Sequence, residues 1–335
     1  MAEENPAKRL RGMGSYIGIA AAPEVKYTRV VTIRTKQSEP GGWQRLGDRE
    51  LGADESGGAQ AASVFVAPAQ LVPRPWLGFG GSFTEAACET LKKMTAPVRD
   101  EALKACFDKE AGLGYNLGRL SIGSCDFGLG NWTCGELPEG DEELSGFSLD
   151  HYEASILPTM RDAVKIAGPL TLVASPWSPP IWMKTKPEFK GDGHLKRECY
   201  KVWAHHFVRF VQEMEKKSMP IFAVTVQNEP EAAQIWESCI YTAEEERDFV
   251  RDSLGPAFEA AGIGAKIIIW DHNRDGMLER AAVAYADEKA AKYIWGLGYH
   301  WYGDSRFETW PESYEVEYED RQHDEEVVHE LKARP

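Results

Sequence analysis

Residues 221–230 read IFAVTVQNEP, and this stretch decides how the rest of the chain is interpreted. Its first part is a short apolar run typical of a buried strand, and it ends abruptly in an amide, a carboxylic acid and a proline. A parallel β/α fold collects such polar residues at the carboxyl ends of its strands. Glu229 is therefore a candidate catalytic acid and Asn228 a candidate ligand-binding amide. An ordinary strand-ending turn remains the alternative for this segment alone.

Similar apolar runs occur on both sides of this segment and alternate with helix-like stretches. Helices are predicted over 97–107, 151–167 and 200–214. Strands are predicted over 76–83, 115–122, 170–175, 222–227, 266–271 and 296–302. This alternation predicts an α/β fold with a parallel sheet, a (β/α)8 TIM barrel truncated after about six strands. A doubly wound sheet is the alternative, but 78–83 lacks the GxGxxG spacing of its phosphate loop.

The predicted domain organisation has three parts. Residues 1–24 are expected to form a flexible leader, 25–70 an N-terminal β segment that would belong to a side β-domain, and 71–335 the partial barrel with strands 1–6. Within the second part, strands are predicted at 27–33 and 62–66, separated by a Gly/Glu/Ser-rich loop over about 38–60.

Composition limits the classes of function. The chain has 335 residues, with 38 basic and 53 acidic side chains and a net charge of -15. This sign disfavours nucleic acid and anionic membranes, which attract Lys and Arg, whereas a neutral sugar is compatible with it. No apolar run reaches the roughly 18 residues of a membrane span. The six cysteines lack metal-site spacing and are expected to be mostly free thiols, so neither a metal nor a cofactor is expected.

Three further segments follow predicted strands and carry side chains suited to sugars. In the SPWSPPIWMKT stretch at 175–185, two tryptophans held by prolines are predicted to form a rigid apolar wall, with core packing as the alternative. Asp126 follows the second strand, where it could accept hydrogen bonds from hydroxyls or be an exposed loop residue. His300, Trp301 and Tyr302 end the sixth strand; ordinary core packing is the default for any one of them.

The motifs GFGGSFTEAA (78–87), YNLGRL (115–120), SCDF (124–127), SPWSPPIWMKT (175–185), TVQNEP (225–230) and HWYGD (300–304) occur in this order. Together they resemble glycoside hydrolase family 30, most closely its glucosylceramidase branch, over residues 76–302. The resemblance implies a retaining β-glucosidase that hydrolyses glucosylceramide to glucose and ceramide, a reaction of sphingolipid metabolism. It also implies peripheral contact with lipid through the substrate.

The resemblance further implies roles for individual residues. Glu229 is similar to the family's acid/base glutamate, and Asn228 to the amide that binds the sugar's 2-hydroxyl. Asp126, Trp177 and Trp301 resemble glucose-binding residues, and His300 and Tyr302 resemble residues beside the nucleophile. Arg119 resembles a buried structural arginine, and two family cysteines resemble Cys125 and Cys239.

The sequence departs from the family pattern in two respects. The family's nucleophile ends a seventh strand, and none of the glutamates between 308 and 330 ends an apolar strand. The nucleophile is therefore expected to be missing, with little or no turnover by these residues. The resemblance favours a lysosomal or secretory location, but 1–24 is not a clear signal peptide, so the location stays open. A family member acting on a β-linked polysaccharide and a non-catalytic sugar- or lipid-binding module are the remaining alternatives.

Overall fold

The computed structural model describes residues 29–34, 44–50 and 76–303. The chain divides into two compact units, Met1–Trp76 and Leu77–Pro335. The leader predicted at 1–24 and the strand predicted at 62–66 lie outside the described residues.

The described part of the first unit is an antiparallel pair of strands, β1 (Arg29–Arg34) and β2 (Gln44–Glu50). The prediction of a loop over 38–60 is wrong for 44–50, because these residues pair with the backbone of β1. The composition of QRLGDRE hides this strand, since pairing with a neighbour can override a low β propensity. The register shifts between Val31 and Ile33, opposite Gly47, whose φ of 97° suits a bulge.

The second unit contains one six-stranded parallel sheet that is not closed. Its strands are β3 (Gly80–Ser82), β4 (Leu117–Ile122), β5 (Thr171–Pro176), β6 (Ile221–Thr225), β7 (Lys266–His272) and β8 (Ile294–Tyr299). They neighbour one another strictly in chain order. A doubly wound sheet reverses its strand order at a switch point, whereas a barrel does not. The prediction of a partial (β/α) barrel is therefore confirmed.

Helices follow the strands of the sheet. They are α1 (Glu85–Lys93), α2 (Ala96–Phe107), α3 (Ile156–Ala167), α4 (Tyr200–Lys216), α5 (Ala243–Phe249), α6 (Gly255–Ala261), α7 (Met277–Ala286) and α8 (Glu288–Ala291), with a π-helical turn at Val250–Leu254. The helix predicted at 151–167 begins instead as a 3₁₀ turn, Asp150–Ala154. Ser155, with a φ of -153°, separates this turn from α3.

The core lies between the sheet and these helices. In α4, Trp203, Phe207, Phe210 and Met214 are buried at helical spacing and form the stripe that faces the core. All six cysteines are free thiols. No helix in the described ranges combines the length and apolar character needed to cross a membrane.

Candidate active site

The carboxyl ends of the strands form one wall of a cavity of about 1480 Å³. Because parallel strands all end at the same edge of the sheet, residues far apart in the chain meet there. The structure brings seven residues singled out by the sequence into the lining of this cavity: Asp126, Trp177, Asn228, Glu229, His300, Trp301 and Tyr302.

The wall predicted from the two tryptophans of 175–185 is only half present. Trp177 is buried and lines the cavity. Trp182 packs against the hydrophobic core and donates its indole N–H to the Leu137 carbonyl at 2.9 Å. The second indole thus belongs to the core side of this segment, where its N–H has a partner.

The backbone at Glu229 is in the left-handed region, with a φ of 48°. Its N–H donates to the carbonyl of Asp271 at 3.0 Å, and Asp271 has a φ of 49° itself. The N–H of the preceding Asn228 donates to the carbonyl of Pro176 at 2.8 Å. Such conformations are uncommon for residues other than glycine and concentrate at functional sites. The turn presents the Glu229 side chain to the cavity.

Each carboxylate oxygen of Glu229 has its own partner. Oε1 lies 3.0 Å from Nδ1 of His300, and Oε2 accepts a hydrogen bond from Nε2 of Gln234 at 3.2 Å. The side chains of Glu229 and His300 are 17% and 15% exposed, so both are shielded from most solvent screening.

Asp271, at the end of β7, is a site residue that the sequence interpretation missed. Its Oδ1 lies 3.1 Å from Nε2 of His300, while its Oδ2 accepts from Arg119 and from Thr225 Oγ1, both at 2.7 Å. A continuous path of hydrogen bonds thus runs from Glu229 through His300 and Asp271 to Arg119. The apolar run before Asp271 already predicted a strand end at this position, and that was the available signal.

Arg119 links the sheet to the cavity wall. It donates from Nε to Ser175 Oγ at 3.1 Å and from its terminal nitrogen to Asn228 Oδ1 at 2.9 Å, and its guanidinium lies 4.8 Å from the centre of the Trp177 ring. The expectation that Arg119 is buried is wrong: its side chain is 29% exposed and lines the cavity. A planar guanidinium can bind a carboxylate and stack on an indole at once.

The hydrogen-bonded path fixes the charges at the site. Burial lowers the pKa of His300, but hydrogen bonds to Asp271 and Glu229 outweigh it and raise that pKa to about 9. The His300 contact in turn lowers the pKa of Glu229, against the opposing effect of burial. For Asp271, burial is opposed by the charge of Arg119 and the bond to His300, and the net effect is a pKa well below its usual value.

Asp126 is different in kind, because burial raises its pKa and the negative charge of Glu229 raises it further. It follows β4 on the loop that also carries Cys125, whose pKa burial raises to about 11. Asp126 and Glu229 are the two carboxylates in the cavity lining among residues 76–303.

Besides Asp271, which does not line the cavity, the sequence interpretation missed the lining residues Gln234, Trp236 and His272. Gln234 and Trp236 lie a few positions after the NEP motif, on a loop whose course the sequence did not reveal. Over the described ranges, no group of three His, Cys, Asp or Glu residues is placed to hold a metal ion.

This arrangement offers surfaces that suit a polyhydroxylated ligand. An indole face, carboxylate and amide groups suit the mixture of apolar and hydroxyl surfaces on a sugar ring. Since Oδ1 of Asn228 already accepts from Arg119, its amide nitrogen remains to donate to a ligand oxygen.

Residues 77–323 match the family described as the glycosyl hydrolase family 30 TIM-barrel domain. The chain belongs to glycosyl hydrolase family 30. The match covers every strand of the six-stranded sheet and the whole cavity described above.

Relatives within family 30 include enzymes with different substrates in their names. The lysosomal acid glucosylceramidase of Mus musculus is 33% identical over 68% of this chain and 46% of its own length. An endo-1,6-beta-D-glucanase of Neurospora crassa is 30% identical over 68% of this chain and 48% of its own length. The chain therefore spans about half the length of the curated relatives it matches.

Solved structures agree with this assignment. SrfJ from Salmonella typhimurium is 38% identical with a TM-score of 0.65, covering 68% of this chain and 52% of that one. The endo-beta1,6-glucanase BT3312 is 31% identical with a TM-score of 0.63, covering 73% of this chain and 55% of that one. The chain therefore resembles these two proteins in both sequence and structure.

Proposed function

We propose that this chain carries the acid/base half of a retaining β-glucosidase of the glucosylceramidase type, with Glu229 as the general acid/base. The observation that carries the proposal is the Glu229 carboxyl in one cavity with Trp177 and the Asn228 amide, at the carboxyl end of β6. In the proposed reaction, Glu229 protonates the departing glycosidic oxygen and later deprotonates the attacking water.

The neighbouring residues have positioning and binding roles in this proposal. Asn228 donates to the sugar's 2-hydroxyl, with its amide orientation set by Arg119. Trp177 and Trp301 supply apolar surface to the ring, and Asp126 accepts from hydroxyls. His300 and Tyr302 lie on the side of the cavity formed by the loop after β8.

The lowered pKa of Glu229 fits a site in which no residue of 76–303 has been assigned as the nucleophile. A retaining glycosidase places two carboxyl groups roughly 5–5.5 Å apart, and the negative charge of one raises the pKa of the other. Here the His300 bond lowers the pKa of Glu229 instead. We therefore propose that the nucleophile comes from outside residues 76–303, and that its approach converts Glu229 into an acid.

The glucosylceramide assignment rests on the motif resemblance and on the glucosylceramidase relatives. In this proposal, contact with a lipid surface is peripheral and occurs through the substrate. The second candidate substrate is β-1,6-glucan, which is favoured by the names of two relatives that are about 30% identical to this chain. The two substrates share the glucosyl group and differ in the leaving group.

An added small anion tests the proposed role of Glu229 without a protein nucleophile. Azide can attack the anomeric carbon of an aryl β-glucoside, giving the α-glucosyl azide as the aryloxide leaves. With a 2,4-dinitrophenyl leaving group no proton is needed, so we expect azide-dependent release by both the parent chain and Glu229→Gln. With a poor phenolic leaving group, Glu229→Gln should lose roughly 10²–10⁴-fold in rate.

Glu110→Gln, on an exposed loop, is the matched control and should behave as the parent chain. Equal rates of Glu229→Gln and parent on the poor leaving group would contradict the acid/base role, as would the absence of azide-dependent release. Robust hydrolysis of glucosylceramide without azide would show that these residues already contain the second carboxylate.

The substrate is tested by comparing hydrolysis of glucosylceramide micelles and of β-1,6-glucan with azide present. Preference for the lipid supports the first candidate, and preference for the glucan supports the second. If neither substrate is hydrolysed while the aryl glucoside is, both candidates are contradicted and the natural substrate is a different glucoside.

A further inference from the structure

The two oxygens of the Glu229 carboxylate are not equivalent. Oε1 faces His300, which also binds Asp271 through its other ring nitrogen. An imidazolium donates from both nitrogens and accepts from neither. Oε1 is therefore an acceptor, and the proton that Glu229 transfers must reside on Oε2, the oxygen that Gln234 contacts.

Two hydrogen bonds of its own backbone hold Gln234 in place. Its carbonyl accepts from the Gly191 N–H at 2.9 Å, and its own N–H donates to Ser238 Oγ at 3.3 Å. Ser238 is anchored in turn, because its carbonyl accepts from Nζ of Lys184 at 2.6 Å, and Lys184 is fully buried. The Gln234 amide is thus presented to Glu229 by a fixed loop.

We propose that Gln234 is the positioning residue that directs the transferable proton of Glu229 toward the leaving group. This rests on the proposed acid/base role of Glu229. The Gln234 N–H occupies one lone pair of Oε2, so a proton on Oε2 lies along the remaining direction, into the cavity. In the base form, the same N–H stabilises the ionised carboxylate.

Two variants separate this role from simple packing. Gln234→Met keeps the length of the side chain and removes the donor, so the pKa of Glu229 should rise. Gln234→Glu keeps the shape and introduces a like charge, which should raise the Glu229 pKa further. Gln212→Met, on the outer helix α4, is the matched control and should leave the Glu229 titration unchanged.

The readout is a carbon NMR titration of the chain labelled at the glutamate side-chain carboxyl, with the Glu229 signal assigned from its absence in Glu229→Gln. We expect the midpoint to move up by about half to one pH unit in Gln234→Met, and by more in Gln234→Glu. Thermal unfolding of each variant reports whether it is folded. An unchanged Glu229 midpoint in folded Gln234→Glu overturns the proposal.

This outcome is distinguishable from failure of the proposed function. If Gln234 variants shift the Glu229 titration while Glu229→Gln leaves the azide-dependent reaction unaffected, the contact is real but the carboxyl is not the acid/base. If the titration is unmoved and Glu229→Gln is inactive on poor leaving groups, the acid/base role stands and Gln234 does not position it.

Discussion

Asp126 and Glu229 line the same cavity, yet the protein shifts their pKa values in opposite directions. Asp126 follows β4, and burial together with the charge of Glu229 raises its pKa. Glu229 follows β6, and its hydrogen bond to His300 lowers its pKa in spite of burial. The cavity alone would raise both values. The presence of a cationic partner at only one of the two carboxylates makes the difference.

The partner is itself maintained by the structure behind it. His300 stays cationic because Asp271 accepts from its second nitrogen, and Asp271 stays ionised because Arg119 and Thr225 donate to it. The contrast between the two carboxylates therefore depends on a residue that does not line the cavity. Each change described below removes one of the interactions that shift the two pKa values in opposite directions.

The largest effect is expected from Asp271→Asn, which tolerates the left-handed backbone at this position and removes the charge. Arg119 and His300 then lose their shared counter-ion, and because Asp271 is buried and His300 nearly so, leaving their partners unpaired is strongly destabilising. We expect the free energy of unfolding, measured by denaturant titration, to fall by about 3 kcal/mol. Asp192→Asn, in an exposed pair with Lys186, should show no measurable change. Equal stability of Asp271→Asn and the parent would contradict this account.

The pH dependence of stability should show the His300 contribution directly. Its pKa is raised from 6.5 to about 9 in the folded chain. The stabilisation is therefore fully present below pH 6.5 and is lost as the pH rises from 6.5 to about 9. Denaturant titrations across this window should show a decline in the parent that is absent in His300→Gln. If the stability of the parent chain instead rises between pH 6.5 and about 9, the raised pKa of His300 is contradicted.

His300→Gln should also remove the difference between the two cavity carboxylates. Without the imidazolium, burial dominates at Glu229, and its pKa should rise by about one unit or more. Carbon NMR of labelled carboxyls measures both groups at once. His205→Gln, at an exposed position of α4, is the control. If Glu229 keeps its lowered pKa in His300→Gln, the imidazolium is not its cause.

The smallest effect is expected at Asp126 in Glu229→Gln. Removing the negative charge at 229 should lower the pKa of Asp126 by a few tenths of a unit, because burial is the larger cause of its shift. The same NMR titration detects the change. An upward shift of Asp126 would mean that the two carboxyls interact in some way other than charge repulsion.

Sequence alone was sufficient for the sheet and for the site residues that follow its strands. Apolar runs predicted the six strands, and because strand ends converge in a parallel barrel, the sequence also predicted that Asp126, Trp177 and Glu229 lie together. The strand β2 was not predictable, because its pairing with β1 overrides a composition typical of a loop.

The electrostatics of the site were not predictable in the same way. The sequence predicted Asp271 as the end of a strand. Its hydrogen bonds to Arg119 and His300, however, depend on a positive φ at residues 229 and 271, which the residue types at these positions do not predict. Gln234 lies on an irregular loop, fixed by contacts with Gly191 and Ser238 that are distant from any motif. Local patterns predict elements, whereas these contacts arise from tertiary packing.

The central claim is that the Glu229 carboxyl faces the glycosidic oxygen of a bound glucoside. Isothermal titration calorimetry tests this claim without turnover, using an inhibitor in which a glucose-like ring is fused to an imidazole. The imidazole nitrogen of this inhibitor takes the position of the glycosidic oxygen. We expect Glu229→Gln to weaken this binding by about 100-fold, an amount consistent with losing a charge-assisted hydrogen bond, while Glu110→Gln binds as the parent does. Equal affinity of Glu229→Gln and parent would contradict the account.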